Sequence, residues 1–231
     1  MRFTLVRSAL VALALLAGPA FADDLGDFNA AVEAASAHNR VAIGYLRNDN
    51  VDLASVELDR LRAAWAQVGR LPRPAVFDDV PLYTAMMTDI ATRLITADMM
   101  LNVGRPQNAQ QALLAIRNDL YQLRTSAHVP VLADCIHDAN ATMDKLMAYD
   151  GSPGQAGLAD AAKAYDAILT RCDGMADDKT RSGPEFRRLI DGAHASLKWI
   201  PEVVANKDND LLHRVLGELR SFDNLLAFRF G

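Results

Sequence analysis

The sequence predicts an all-α protein built as two tandem up-down-up-down four-helix bundles, eight helices in four helical hairpins. Three observations carry this expectation. Apolar residues recur at spacings of three and four along nearly the whole chain after Asp23, and no alternation of the kind a strand needs is sustained anywhere. Turn signals interrupt the pattern near residues 49, 105, 152 and 207, and longer Pro- or Gly-bearing loops fall near 75 and 179. The short–long–short order therefore occurs twice, offset by about a hundred residues, and a four-helix bundle of that size is an independently stable unit.

Each element follows from its own stripe. Phe28, Val32, Ala35, Val41, Tyr45 and Leu46 mark the first helix, which Asn48-Asp49-Asn50 ends. Leu53, Val56, Leu58, Leu61 and Trp65 mark the second, with Asp52 as its expected N-cap. The segment 69–81 holds three prolines and reads as a loop. A third helix runs from Leu82 to Leu101, and Gly104-Arg105-Pro106 turns the chain into a fourth carrying Ala109, Leu113, Ile116, Leu120 and Leu123. After the break at His128-Val129-Pro130, a fifth helix is expected from Val131 to Tyr149. Asp150-Gly151-Ser152-Pro153-Gly154 is the strongest turn signal in the chain. Leu158, Ala161, Tyr165, Ile168 and Leu169 mark the sixth helix, and Asp173 to Pro184 a polar loop. The seventh runs from Phe186 to Val204, kinked at Pro201 because proline lacks the N–H of the helical ladder. Leu211 to Leu226 is the eighth. The bundles are expected over 23–128 and 129–231, with a single fused eight-helix body as the alternative. A tetratricopeptide array, with its period near 34 residues, does not match hairpin turns that lie about fifty apart.

The N-terminus bears on compartment. Arg2 and Arg7 precede an apolar stretch, Ser8 to Leu16, too short to span a bilayer. Gly18 and Pro19 break it, and Ala20-Phe21-Ala22 supplies a small-x-small cleavage pattern. The expectation is a signal peptide over 1–22, cleavage after Ala22 and a bacterial periplasmic location. Removing two arginines moves the net charge from -5 to -7. No basic surplus exists to neutralise phosphates, which argues against nucleic acid as a partner. No later run of 18 apolar residues appears, so no membrane insertion is expected after cleavage. The composition, 51% hydrophobic and 23% charged, excludes a disordered chain. The formal glycosylation sequon Asn140-Ala141-Thr142 falls inside the fifth helix, where it carries little weight.

Cys135 and Cys172 stand equally far from the turn at Asp150–Gly154, so they face each other across the open end of the fifth–sixth hairpin. In an oxidising compartment a disulfide is the expected state, stabilising by roughly 4 kcal/mol in the chain-entropy account.

The stretch Glu185-Phe186-Arg187-Arg188, with the long helix to Asn206 and then Leu211 to Asn224, resembles the second hairpin of the cytochrome c-prime-like periplasmic four-helix bundles and their soluble b-type relatives. Leu94 to Tyr121, with LNVGRPQNAQQALLAI at its turn, is similar. The resemblance implies a bundle fold, while the family's haem-bearing residues do not carry over. The haem motifs themselves are absent. Cys-x-x-Cys-His occurs nowhere, since Cys172-Asp173-Gly174-Met175 lacks the second Cys and the His. The b-type relative uses a His late in its last helix, where this chain reads Asn224-Leu225-Leu226-Ala227-Phe228. In the fourth helix the comparable region holds Arg124, with His128 a turn beyond.

One candidate metal site remains. Met143 and Met147 lie four apart on one face of the fifth helix, near the end shared with His213 at the start of the eighth. Together they form a soft donor set suited to Cu(I) or an axial haem pair; core packing and a solvated His are the alternative. The adjacent pairs Met86-Met87 and Met99-Met100 point about 100° apart and read as packing. His38 and His194 are expected to be buried and hydrogen-bonded, and a metal site of Cys135, His137 and Cys172 would need reduced thiols. No Gly-x-Ser-x-Gly elbow, phosphate-cradling glycine loop or His-Glu-x-x-His occurs. The expected function is therefore a non-enzymatic periplasmic bundle without a cofactor, binding a protein partner or small ligand through a groove between bundles or hairpins. A haem or copper carrier is the alternative.

Overall fold

A computed structural model describes residues 24–231. The signal peptide expected over 1–22 and its cleavage point lie outside the described residues. Ten helical segments follow in order: α1 (Asp24–Arg47), α2 (Val51–Val68), α3 (Val80–Asn102), α4 (Pro106–Ser126), α5 (Leu132–Met147), α6 (Leu158–Met175), α7 (Asp178–Ser182), α8 (Pro184–Leu197), α9 (Ile200–Asn206) and α10 (Asn209–Phe230). No strand occurs among the described residues, and none of their helices is long and apolar enough to cross a membrane.

Helix starts follow the side-chain oxygens available to accept orphan N–H groups. Asn50, not Asp52, caps α2, its side chain accepting from the Leu53 N–H at 3.2 Å; Asp52 sits in the first turn, where an acid favours the helix dipole. Asp79 caps α3 through the Leu82 N–H at 3.0 Å, with Pro81 just inside the start. Asp208 caps α10 through Leu211 at 2.9 Å. Asp49, His128 and Lys207 each adopt positive φ at a hairpin turn or break.

Two further sequence expectations need correction. The polar loop after α6 contains α7, a single helical turn capped by Asp177. Arg181 on it donates to the main-chain oxygens of Asp173, Gly174 and Ala176 and so closes the end of α6. The seventh helix is also broken in two, not merely kinked. Pro201 has no N–H for the Leu197 carbonyl, and its ring crowds that oxygen. The helix stops at Leu197, and Lys198 and Trp199 make tighter three-residue-back bonds to Ala195 and Ser196 before α9 begins.

The buried apolar residues form two clusters. One, from Phe28 to Leu123, is shared by α1–α4 and the loop between α2 and α3, whose Phe77 packs edge-on against Phe28 at 5.3 Å. The other, from Cys135 to Leu226, is shared by α5, α6, α8, α9 and α10. Within the first, α1 packs along α2 and α3 along α4, and α1 also meets α4 as α2 meets α3. Within the second, α5 packs along α6, α10 lies against α5 and α8, and α8 against α6. Each fully buried Leu, Ile or Phe contributes about 1.5–3 kcal/mol.

Polar contacts stitch the clusters together. Arg124 on α4 forms a two-pronged pair with Asp134 on α5, at 2.8 and 2.7 Å, both side chains buried. Asp134 also accepts from the Val131 N–H at 2.9 Å. Tyr121 donates to Asp138 at 2.7 Å and stacks on His137 with ring centroids 4.3 Å apart. The α1–α10 contact completes the seam.

Candidate functional site

An open apolar concavity lies in the C-terminal half. Ala159, Ala162, Lys163, Asp166 and Thr170 occupy positions i, i+3, i+4, i+7 and i+11 of α6 and so share one face. Opposite stand His194 and Leu197 near the end of α8, then Ile200, Pro201 and Val204 on α9. Between them runs a groove of about 820 Å³. Its floor is the buried set Ala162, Leu197 and Ile200, and Val204 stands exposed at its wall. The groove lies at the break in the arm, where α8 ends at Leu197 and α9 begins at Ile200.

Two kinds of polar group line it. His194 Nδ1 lies 2.6 Å from a carboxylate oxygen of Asp166. With the proton on Nδ1 the ring donates to Asp166, and Nε2 keeps its lone pair without a partner among the described residues. Lys163 and Lys198 are exposed and make no ion pair among the described residues. Thr170, the one hydroxyl of the lining, donates to the Asp166 main-chain oxygen at 3.0 Å. The site thus offers an apolar trough, two free cations and an oriented imidazole.

The residues singled out from sequence fall elsewhere. The sulfurs of Cys135 and Cys172 are 2.13 Å apart at the open end of the α5–α6 hairpin, with Cα atoms 5.4 Å apart. Neither thiol is free, and His137 turns to Tyr121 and to Asn118 at 3.1 Å. Met143 is fully buried in the C-terminal core, and Met147 packs at its margin. The His213 side chain is 75% exposed and its Nδ1 faces Asp150 at 3.1 Å. The structure thus places Met143 inside and His213 outside. No group of three or more His, Cys, Asp or Glu able to hold a metal occurs among the described residues.

His38 bonds Glu57 at 2.7 Å across α1 and α2, but like His194 it is only partly covered. Met86, Met87 and Met100 pack against the N-terminal core, as expected, whereas Met99 is 55% exposed. Asn140, the sequon residue, donates to Asp223 at 2.5 Å inside the bundle.

Sequence reasoning passed over Asp166 and the groove. A signal existed: Asp166 and His194 each stand fourteen residues from Thr180, so the symmetry that pairs the cysteines about one turn also pairs this dyad about the next. Comparisons with protein-family models, curated proteins and solved structures find no significant match. The functional reading therefore rests on these residues.

Proposed function

We propose that this chain is an exported, periplasmic, non-enzymatic helical-bundle protein that holds a small amphiphilic anion in the α6/α8/α9 groove. On this reading the chain is two tandem four-helix bundles, and only the second carries the binding site. The groove carries the proposal. Its size lies within the range usual for small-molecule sites, and an apolar lining with a few convergent polar groups is how such sites combine affinity with orientation. An apolar body fills the trough over Leu197 and Ile200. Its acidic head meets Lys163 and Lys198, which have no counter-ion among the described residues, and His194 Nε2 supplies a polar contact that Asp166 holds in place. The only lining hydroxyl is bonded to its own helix, which favours recognition over nucleophilic chemistry.

The test is titration with 8-anilinonaphthalene-1-sulfonate, followed by calorimetry and by Trp199 fluorescence. Saturable binding of one molecule is expected. Lys163→Ala/Lys198→Ala should weaken it about tenfold, the equivalent of about 1.4 kcal/mol from two lost charge contacts. Val204→Glu, at an exposed wall position, should weaken it further without unfolding the chain. Binding insensitive to all three substitutions would reject the groove.

A second reading, a haem carrier of the cytochrome c-prime-like type, is favoured by one observation: an imidazole fixed by a carboxylate beside an apolar groove is how proteins orient an axial nitrogen. The lining supplies that one donor and no methionine. His194 would hold the iron and the trough would exclude water, with haem supplying any redox chemistry. Haemin titration giving a Soret shift that His194→Ala abolishes supports the haem carrier; no shift, with sulfonate binding intact, supports the first reading.

A further inference from the structure

A second, independent site lies in the seam between the halves, where three arginines converge and two of them have no acid partner among the described residues. Arg40 and Arg47 are seven residues apart on one face of α1, and Arg117 reaches in from α4. Together with Asn140 and Asn224 from the C-terminal half they line a cavity of about 120 Å³. At about 30 Å³ per liquid water, this is room for a tetrahedral oxyanion with a water or two.

Arg40 is buried and engaged with Glu33 at 2.6 Å and with the Gly231 main-chain oxygen at 2.9 Å. Arg47 and Arg117 make no hydrogen bond or ion pair among the described residues. Burial pulls the Arg117 guanidinium below its usual value, and repulsion from Arg40 and then Arg47 adds to the effect, with Asp223 only partly offsetting it. A guanidinium presents a planar fork of donors matched to oxyanion geometry, and a desolvated cation left without an acceptor is costly. The end of α1 offers no help from its dipole, whose negative pole lies there; recognition rests on the guanidiniums.

We infer that the seam is a binding site for a small tetrahedral oxyanion, phosphate or sulfate, clamped by Arg47 and Arg117 with Arg40 behind them. Because Arg47 and Arg117 belong to one half while Asn140 and Asn224 belong to the other, a bound anion ties the two halves together.

The experiment is calorimetric titration and thermal unfolding of the full chain with sodium phosphate, sodium sulfate, and sodium chloride at matched ionic strength. Phosphate or sulfate should bind with one-to-one stoichiometry and raise Tm above the chloride control. Arg47→Ala, at the exposed end of α1, should weaken that binding about tenfold, and Arg117→Gln should abolish it. Lys179→Ala on α7 should leave it unchanged. Identical Tm values in all three salts, or oxyanion binding unaffected by both arginine substitutions, would overturn the inference.

Discussion

The two halves bury their apolar residues in separate clusters but differ in how their third arm is made. In the N-terminal half that arm is α3, one unbroken helix of 23 residues. In the C-terminal half the corresponding stretch is divided into α8, of 14 residues, and α9, of 7. The unbroken arm lies against α2 and α4, and leaves a row of exposed apolar side chains, Ile95, Met99 and Val103, on its outer surface. The broken arm leaves a groove. A proline marks the contrast: Pro201 has no N–H for the Leu197 carbonyl, where α8 ends. The C-terminal half is also the one held by a covalent bridge. The α6/α8/α9 groove thus occurs where helical regularity fails and a cross-link secures the neighbouring hairpin.

The largest test of this asymmetry is the bridge. Cys135→Ser/Cys172→Ser should lower stability by roughly 4 kcal/mol. The loss should appear first in the C-terminal half, read as early amide exchange in α5 and α6 while α1–α4 stay protected. Simultaneous loss of protection in both halves would show that they unfold as one body. Next in size is the seam pair. Arg124→Met leaves Asp134 buried without its partner and should cost about 3 kcal/mol in denaturant unfolding. An unchanged midpoint would mean that water reaches Asp134 and answers its charge.

The interiors also differ in how a buried carboxylate is met. In the N-terminal half, the carboxylate of Asp119 accepts from Arg93 at 2.5 and 3.0 Å. In the C-terminal half, Asp223 is completely buried and meets Asn140, Tyr165 and Arg220, with Asp144 nearby. Burial lifts Asp223 to about 6, against the lowering by those hydrogen bonds and by Arg220. Its protonated form is the better folded one. The stabilisation is complete below the unfolded value of about 4 and is lost as pH rises through about 6. Asp223→Asn should therefore flatten the fall in stability between pH 4 and 7 by about 2 kcal/mol, a difference that urea titrations across that range would resolve. Parallel profiles for the two proteins would show that Asp223 ionises as freely folded as unfolded.

The smallest stability effect attends the break itself. Pro201→Ala restores an N–H for the Leu197 carbonyl and should fuse α8 with α9, changing stability by no more than about 1 kcal/mol. Helical dichroism should rise slightly and sulfonate affinity should fall about tenfold. A gain in helicity with full affinity would separate the groove from the break.

Much of the architecture is legible in the chain because it is local. The stripe from Phe28 to Leu46, the turn at Asp150–Gly154 and the equal distances of Cys135 and Cys172 from that turn each depend on neighbours within one hairpin. The candidate Met143–Met147–His213 site shows where such reading stops. Helical spacing puts the two methionines on one face, but it does not reveal that this face is the core. His213 follows the buried Leu212 by one position, about 100° round the helix, and so turns outward.

By itself, then, the sequence determined that this chain is all helix, where its hairpins turn and which cysteines can meet, because periodicity and chain distance act over a few residues. Only the tertiary structure decided which cavities exist. The groove needs α6 to lie beside a broken α8–α9, and the arginine cluster needs α1, α4, α5 and α10 in one place. Such convergence depends on how buried faces pack, a long-range outcome that no single stripe encodes.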